Sequence, residues 1–133
     1  MQIKRLVIIP ARSGSKRIKN KNFKLFNKKP IISYSISTAL KSKIFDTIVV
    51  STDNKKYLNF LNKYKIDISL RSKKLSNDST TIEMVLRSII SEYKKLGKSF
   101  DEIWCLAPCS PLIKKEDLIK ASNLIKKNNK KIV

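Results

Sequence analysis

The sequence predicts an α/β fold in which a mostly parallel β-sheet lies between two layers of helices. Four short apolar runs, at 6–10, 47–51, 67–70 and 102–108, have the length and apolar content that are typical of buried strands. Segments with apolar residues at helical spacing lie between these runs. An alternation of strands and helices favours parallel strands with helices on both faces, a three-layer arrangement.

In the first half of the chain, the helices are predicted from apolar spacing and from their start signals. One helix is predicted over residues 28–42, because Pro30 suits a first turn, where a backbone N–H would be unpaired in any case. A second helix is predicted over residues 55–64, and Asp53 is a candidate for its N-cap.

The second half predicts two further helices. Thr80 and Glu83 have the spacing of a capping box at the start of the third helix. The fourth helix is predicted over residues 114–129. The final "KKIV" at 130–133 has the pattern of a fifth strand that has just begun. We therefore expect residues 1–133 to form a single domain that is incomplete at its C-terminus.

The charge of the chain bears on its class of partner. A formal net charge of +20 is typical of nucleic-acid-binding proteins. However, only five of the 30 basic residues are arginine, the residue that recognises phosphates and guanines with paired hydrogen bonds. The lysines are spread over every segment. This distribution indicates a general lysine bias and disfavours a nucleic-acid surface.

The residue types that are rare or missing exclude several functions. The chain has no histidine, which excludes catalytic triads that need one. Cys105 and Cys109 are too few for a disulfide framework or a zinc site, so we expect buried thiols. No apolar run approaches membrane-spanning length and residues 1–10 lack the pattern of a signal peptide. We therefore expect a cytoplasmic protein without a membrane partner.

The basic loop at residues 11–22 is the candidate ligand site. Ligands of parallel α/β sheets bind at the carboxyl ends of the strands, where this loop lies. Gly14 permits a tight turn that can aim backbone amides at an anion, and Arg12 and Lys21 add positive charge. The loop matches neither the Walker A pattern nor G-x-G-x-x-G. The residues alone leave two interpretations open, a phosphate site and a solvated basic loop.

Five segments carry a family resemblance. In chain order they are "IIPARSGSKRIKNKN", "KKPIISYSISTALKS", "FDTIVVSTD", "LRSKKLSNDSTT" and "APCSPL". Their residues, order and spacing resemble those of the acylneuraminate cytidylyltransferases, which activate sialic acid and related nonulosonic acids as CMP-sugars. The resemblance covers essentially the whole chain, and five collinear segments make it specific.

The resemblance implies a fold of the nucleotide-diphospho-sugar transferase (Rossmann-like) type and a reaction in which CMP passes from CTP to a sugar acid, with magnesium present and pyrophosphate leaving. It implies that Arg12 and Lys21 are catalytic residues that hold the triphosphate. The other residues implied to bind the nucleotide are Ala11, Ser13, Gly14, Ser15, Asn22, Arg71 (near the cytosine), Thr80 and Thr81. Such chemistry depends on alignment and charge neutralisation, which suits a site without histidine.

Departures from the family pattern leave the sugar acid open. Ala107 stands where many members have glutamine, which favours pseudaminic acid, whereas "CSPL" is closer to the sialic and legionaminic members. Ile113 stands where arginine is frequent. The resemblance places the magnesium-binding carboxylates and a dimerisation arm beyond Val133. We therefore expect no metal ligands within the chain, poor turnover by the chain alone, and homodimers for full-length members.

Other functions are kept as alternatives. A non-catalytic CTP-binding fragment or regulatory domain would keep the basic loop without turnover. A Kdo cytidylyltransferase would use the same chemistry, but "SKRIKNKN" is closer to the sialic-type signature. A basic nucleic-acid-binding protein is the remaining alternative. Among the other polar residues, Asp53 and Asp78 are expected to cap helices or support loops, and Arg17 and Lys19 to be solvated.

Overall fold

The computed structural model describes residues 2–128, which form a parallel sheet with helices on both faces. The strands of this sheet are β1 (Arg5–Pro10), β4 (Thr47–Thr52), β5 (Asp67–Leu70) and β6 (Glu102–Cys105). A separate antiparallel hairpin consists of β2 (Leu25–Phe26) and β3 (Lys29–Pro30). The helices are α1 (Ile32–Ser42), α2 (Leu58–Leu61), α3 (Ile82–Lys95) and α4 (Lys115–Asn128).

The strand order is β5–β4–β1–β6, and every neighbouring pair is parallel. All six residues of β1 are buried, because β1 has a strand on each side and helices on both faces. Leu6 and Ile8 pack with α3 residues such as Val85, whereas Val7 and Ile9 belong to the core on the other face, with residues of α1, α2 and α4. This alternation divides the core into two layers and confirms the predicted three-layer parallel fold.

At the amino end of the sheet, β1 and β6 are joined by a buried ion pair. Arg5 is the register partner of Glu102, and its Nε donates to Glu102 Oε2 at 2.6 Å. Trp104 Nε1 donates to the same carboxylate at 3.0 Å, and its ring packs edge-to-face on Phe45. Trp104 therefore packs within the fold. These contacts close the end of the sheet that lies opposite the candidate site.

The predicted helix at 28–42 begins four residues later than expected. Lys29 and Pro30 form β3, and the chain reverses through Asn27 (φ 47°) and Lys28 (φ 67°). Pro30 therefore lies in a hairpin and not in a helical first turn, so that prediction was wrong. Two-residue strands are too short to leave a periodic pattern in the sequence.

Two predicted helix starts also shift by one residue. Asn54, not Asp53, caps the turn that precedes α2, since its side chain accepts from Lys56 N. That turn, Lys55–Tyr57, is a 3₁₀ helix, so α2 itself is only one turn long. Thr81, not Thr80, caps α3, and its Oγ1 accepts from Met84 N at 3.2 Å.

The C-terminal elements agree with prediction in type and differ at their ends. β6 ends at Cys105, three residues before the predicted strand does, and α4 (Lys115–Asn128) begins one residue after the predicted fourth helix. The predicted fifth strand at 130–133 lies outside the described residues. Within the described part of the chain, no helix combines the length and the apolar content needed to cross a membrane.

Both cysteines are more accessible than predicted. Cys105 is exposed and Cys109 is half-buried, and both are free thiols. β6 is the last strand at one side of the described sheet, so its residues alternate between half-buried and exposed. The prediction of buried thiols was therefore wrong, because the apolar run that contains Cys105 does not lie in the centre of this sheet.

Candidate functional site

A cleft of about 860 Å³ lies at the carboxyl ends of the strands. Three segments form it: the loop after β1, the loop between β5 and α3 together with the start of α3, and the residues around the end of β6. Parallel α/β sheets bind their ligands at this edge, because neighbouring connections leave a crevice there.

Seven of the ten predicted binding residues line this cleft. They are Arg12, Ser15, Lys21, Asn22, Arg71, Thr80 and Thr81. Residues that are 69 positions apart in the sequence, such as Arg12 and Thr81, thus meet across one cavity. Ala11, Ser13 and Gly14 belong to the same loop but do not line the cleft. Ala11 is fully buried, and its N–H donates to the Ser51 carbonyl at 2.7 Å.

Positive charge dominates the cleft. Five cationic side chains line it, and Asp78 is the one carboxylate that lines it within the described residues. The cationic residues are Arg12, Lys16, Arg17, Lys21 and Arg71. The start of α3, at Ile82, also borders the cleft and adds the partial positive charge of a helix N-terminus. A cavity of this kind suits a ligand with several negative charges.

Asp78 bridges two of these cations. Its Oδ1 accepts from Arg12 Nη1 at 2.9 Å, and its Oδ2 lies 2.6 Å from Lys16 Nζ. The hydrogen bond with Lys16, followed by that with Arg12, lowers the pKa of the Asp78 carboxyl below its ordinary value. Asp78 therefore supports the basic loop, as the sequence predicts, and does so from the opposite side of the cleft.

Asp53 fixes the start of the basic loop through two hydrogen bonds with Ser13. Its Oδ1 accepts from Ser13 N at 2.7 Å, and its Oδ2 accepts from Ser13 Oγ at 2.8 Å. This confirms loop support as the role of Asp53. Gly14 follows with an ordinary φ, and a Cβ added there would meet no atom within 4 Å. The fold therefore does not require glycine at position 14.

Asn22 connects two of the segments that form the cleft. It is 4% exposed, its Nδ2 donates to the Arg12 carbonyl at 3.0 Å, and Cys109 Sγ donates to its Oδ1 at 3.3 Å. Burial raises the pKa of the Cys109 thiol, against the opposing effect of the Lys21 charge. Cys109 has a positioning role that the sequence did not predict, because its partner lies 87 residues away.

Arg71, which follows β5, is held in the cleft by the end of the neighbouring strand β4. Its Nε donates to Ser51 Oγ at 2.8 Å, and its N–H donates to the Thr52 carbonyl at 2.8 Å. Burial lowers the pKa of the guanidinium, and the nearby Asp53 charge acts in the opposite direction. Ser51 is fully buried. The sequence predicted Arg71 but offered no signal for Ser51 as its anchor.

Several lining residues were missed by sequence reasoning. Arg17 was expected to be merely solvated, yet it lines the cleft, whereas Lys19 is not among the lining residues. Ala107 and the exposed Cys105 line the cleft on the β6 side. No sequence pattern separates Arg17 from Lys19, because the conformation of the loop decides which side chain faces the cleft.

The described residues do not fit a resident metal ion. Between residues 2 and 128, no three His, Cys, Asp or Glu side chains lie close enough together to hold one. The carboxylates nearest the cleft, Asp53 and Asp78, already accept from Ser13 and from Arg12 and Lys16. Residues 2–128 therefore contain no group of three such side chains for the magnesium that the family resemblance implies.

Comparisons with known proteins agree with the fold and the motifs. A family model described as Cytidylyltransferase matches residues 6–133. The pseudaminic acid cytidylyltransferase of Campylobacter jejuni is 38% identical over 98% of this chain and 57% of its own length. The CMP-N,N'-diacetyllegionaminic acid synthase of Legionella pneumophila is 34% identical over 96% of this chain and 56% of its own length. The chain thus spans a little over half the length of these relatives.

Solved structures share the fold at low identity. A CMP:2-keto-3-deoxy-manno-octonic acid synthetase in complex with CTP has a TM-score of 0.75 at 17% identity, covering 95% of this chain and 48% of its own. A Mycobacterium tuberculosis protein in complex with manganese has a TM-score of 0.61 at 12% identity, covering 93% of this chain and 59% of its own. At these identities, the likeness concerns the fold alone.

Proposed function

The chain belongs to the cytidylyltransferase family, whose model matches residues 6–133, and on this premise we propose that the cleft binds CTP for transfer of CMP to a nonulosonic sugar acid. In this reaction, the oxygen of the sugar's anomeric hydroxyl forms a bond to the α-phosphorus of CTP. The bond from that phosphorus to the β-phosphate oxygen breaks, pyrophosphate leaves, and the hydroxyl proton is released. We propose a cytoplasmic location for this reaction.

The observation that carries this proposal is the set of five cations around one cleft at the carboxyl ends of the strands. A nucleoside triphosphate carries about four negative charges, and transfer at its α-phosphorus requires charge neutralisation and alignment more than covalent help from the protein. The five cations and the single carboxylate of Asp78 leave a formal balance of +4 along the cleft.

We assign roles to individual residues by their places in the cleft. Arg12 and Lys21 hold the triphosphate and stabilise the departing pyrophosphate, since both are cations of the basic loop. Ser15, which lines the cleft, is assigned to the phosphates, and Ser13 and Gly14 shape the loop beside it, since they do not line the cleft and the Ser13 N–H already donates to Asp53. Arg71 lies at the floor of the cleft, anchored by Ser51, and is assigned to the cytosine end.

Asn22, Thr80, Thr81 and Ala11 complete the proposed site in different ways. Asn22 positions the Arg12 backbone, because its amide is already used by the Arg12 carbonyl and Cys109. The two threonines line the wall at the start of α3. Ala11 is buried beneath the loop and acts as packing.

The binding half of the proposal can be tested by calorimetry with CTP. We expect saturable binding by the wild-type chain and a loss of at least tenfold in affinity for Lys21→Ala. Lys19→Ala is a matched control, since Lys19 is an exposed lysine of the same loop that does not line the cleft. Equal losses in both variants, or steeply salt-dependent DNA binding indifferent to both, would overturn a nucleotide site.

The catalytic half requires a separate measurement. Pyrophosphate release would be followed with CTP and, in turn, pseudaminic, N,N'-diacetyllegionaminic, N-acetylneuraminic and 2-keto-3-deoxy-manno-octonic acids. We propose that one of the first three is the preferred acceptor. Because the described residues offer no metal-ligand set, magnesium enters this proposal only as a requirement to be tested by adding and chelating it. Since the chain alone is expected to turn over poorly, slow pyrophosphate release that requires both CTP and a sugar acid would support the enzyme, and CTP binding with no release at all on any acceptor would favour a non-catalytic CTP-binding domain.

A further inference from the structure

Asp78 occupies the one place in the described cleft where an acidic group meets two of its cations. Its carboxylate contacts Arg12 Nη1 at 2.9 Å and Lys16 Nζ at 2.6 Å. Arg12 and Lys16 come from the loop after β1, and Asp78 from the loop that leads into α3. The contact therefore spans the cleft between two of the segments that form it.

A carboxylate oxygen and a phosphate oxygen are equivalent partners for a guanidinium or an ammonium group, because both are anionic acceptors. While Asp78 contacts Arg12 and Lys16, it takes the place on these cations that a phosphate oxygen would use. We propose that Asp78 is an internal counter-anion, which the triphosphate displaces from Arg12 and Lys16 and which returns to them when pyrophosphate leaves. This inference rests on the proposed function only in that the ligand is an oligophosphate.

The exposure of the three side chains keeps the free-energy cost of this exchange low. The exposed fractions are 52% for Asp78, 36% for Arg12 and 81% for Lys16. Solvent screens ion pairs of this kind, so each contributes little to stability. An oligophosphate offers the same cations several oxygens and more charge, so it replaces the carboxylate with a net gain in contacts.

The turn that carries Asp78 does not depend on its carboxylate. Asn77 Oδ1 accepts from Ser79 N at 3.1 Å and from Thr80 Oγ1 at 3.0 Å, which holds the turn locally. The adjacent N-cap of α3 is made by Thr81. Removing the charge of Asp78 therefore frees Arg12 and Lys16 without removing the contacts that shape the loop.

A counter-anion and a merely structural Asp78 predict different changes in ligand affinity when the charge of Asp78 is removed. Calorimetry at one fixed ionic strength would compare CTP and inorganic tripolyphosphate binding to the wild-type chain, Asp78→Asn and Glu83→Gln. The matched control removes one carboxylate of similar exposure five residues away, which pairs with Arg87 outside the cleft. We expect Asp78→Asn to bind both ligands about three- to tenfold more tightly, and Glu83→Gln to change their affinity less than twofold.

Three further measurements complete the test. In a Lys16→Ala background, the gain from Asp78→Asn should shrink, because one of the two cations is already absent. Thermal unfolding would show that each variant is folded, and Asp78→Ser provides a second charge-removing variant. Unchanged or weaker binding by the folded Asp78 variants, or an equal gain in Glu83→Gln, would overturn the proposal.

The two ligands separate failure of this inference from failure of the proposed function. If the wild-type chain binds tripolyphosphate but not CTP, and Asp78→Asn tightens tripolyphosphate binding, the counter-anion is supported and the CTP site is wrong. If CTP binds and Asp78→Asn does not tighten it, the CTP site stands and the counter-anion is wrong. If the wild-type chain binds neither ligand, both are wrong.

Discussion

Asp53, at the end of β4, accepts two hydrogen bonds from Ser13, one from the backbone N–H at 2.7 Å and one from the hydroxyl at 2.8 Å. The pair joins positions 40 residues apart and fixes the start of the basic loop against the neighbouring strand. The position of Arg12, the preceding residue, therefore depends on a carboxylate that does not line the cleft.

Asp53→Ala should loosen the basic loop and weaken CTP binding several-fold. The loss of two hydrogen bonds to a charged acceptor should cost about 1–3 kcal/mol of unfolding free energy. Asp53→Asn, which keeps one acceptor oxygen, should show an intermediate loss. Urea unfolding and calorimetry would measure both effects. Full CTP affinity in Asp53→Ala would show that the loop does not need this anchor.

Gly14→Ala should leave stability within about 0.5 kcal/mol of the wild type, because an added Cβ meets nothing within 4 Å and the backbone φ is ordinary. CTP affinity should also change less than twofold, because Gly14 does not line the cleft. Gly97→Ala is the contrasting variant, because Gly97 has a φ of +75°, which alanine adopts only with strain. It should lower the free energy of unfolding by about 1 kcal/mol and leave CTP binding unchanged. A marked loss of CTP affinity in Gly14→Ala would show that the phosphates approach this residue after all.

Asn22→Ala should destabilise the protein by about 1–3 kcal/mol, because it removes the side-chain donor to the Arg12 carbonyl and the shorter of the two hydrogen bonds of the Cys109 thiol, which also contacts the Lys21 carbonyl. CTP binding should weaken as well. Asn123→Ala is the matched control on the exposed surface of α4 and should be close to neutral. Denaturant unfolding of the two variants would make the comparison, and equal stabilities would contradict a linking role for Asn22.

Glu102→Ala and Glu83→Ala should differ strongly, although each breaks an Arg–Glu pair. The Arg5–Glu102 pair has side chains only 9% and 14% exposed, so removing one partner should cost about 3–5 kcal/mol. The Arg87–Glu83 pair is 77% and 70% exposed, and its loss should cost about 0.5 kcal/mol. Thermal or urea unfolding would measure both, and similar costs would contradict the burial argument.

Lys28→Gly should stabilise the protein by about 0.5–1 kcal/mol, because Lys28 is held at φ 67°, a conformation that glycine adopts without strain. Lys29→Gly, at the next residue in β3, should instead be destabilising, since its φ is not positive. The melting temperatures should move in opposite directions, and a shift of the same sign in both would argue against strain at position 28.

Prediction from the sequence succeeded where the signal is local. The four strands of the main sheet and helices α1, α3 and α4 were predicted in type and order, because side-chain periodicity reflects which face of each element is buried. It failed at the β2–β3 hairpin, which is too short to be periodic. It also placed the N-cap of α3 at Thr80 and not at Thr81, because both residues are good caps and only the backbone conformation decides.

The sequence by itself determined the strand and helix order, the parallel sheet, the position of the basic loop at the carboxyl ends of the strands, and the family. Only the tertiary structure decided which side chains meet there. Ser13 with Asp53, Arg12 with Asp78 and Asn22 with Cys109 are separated by 40, 66 and 87 residues. Such pairs have no periodic signature, because their distances are set by how strands and helices pack.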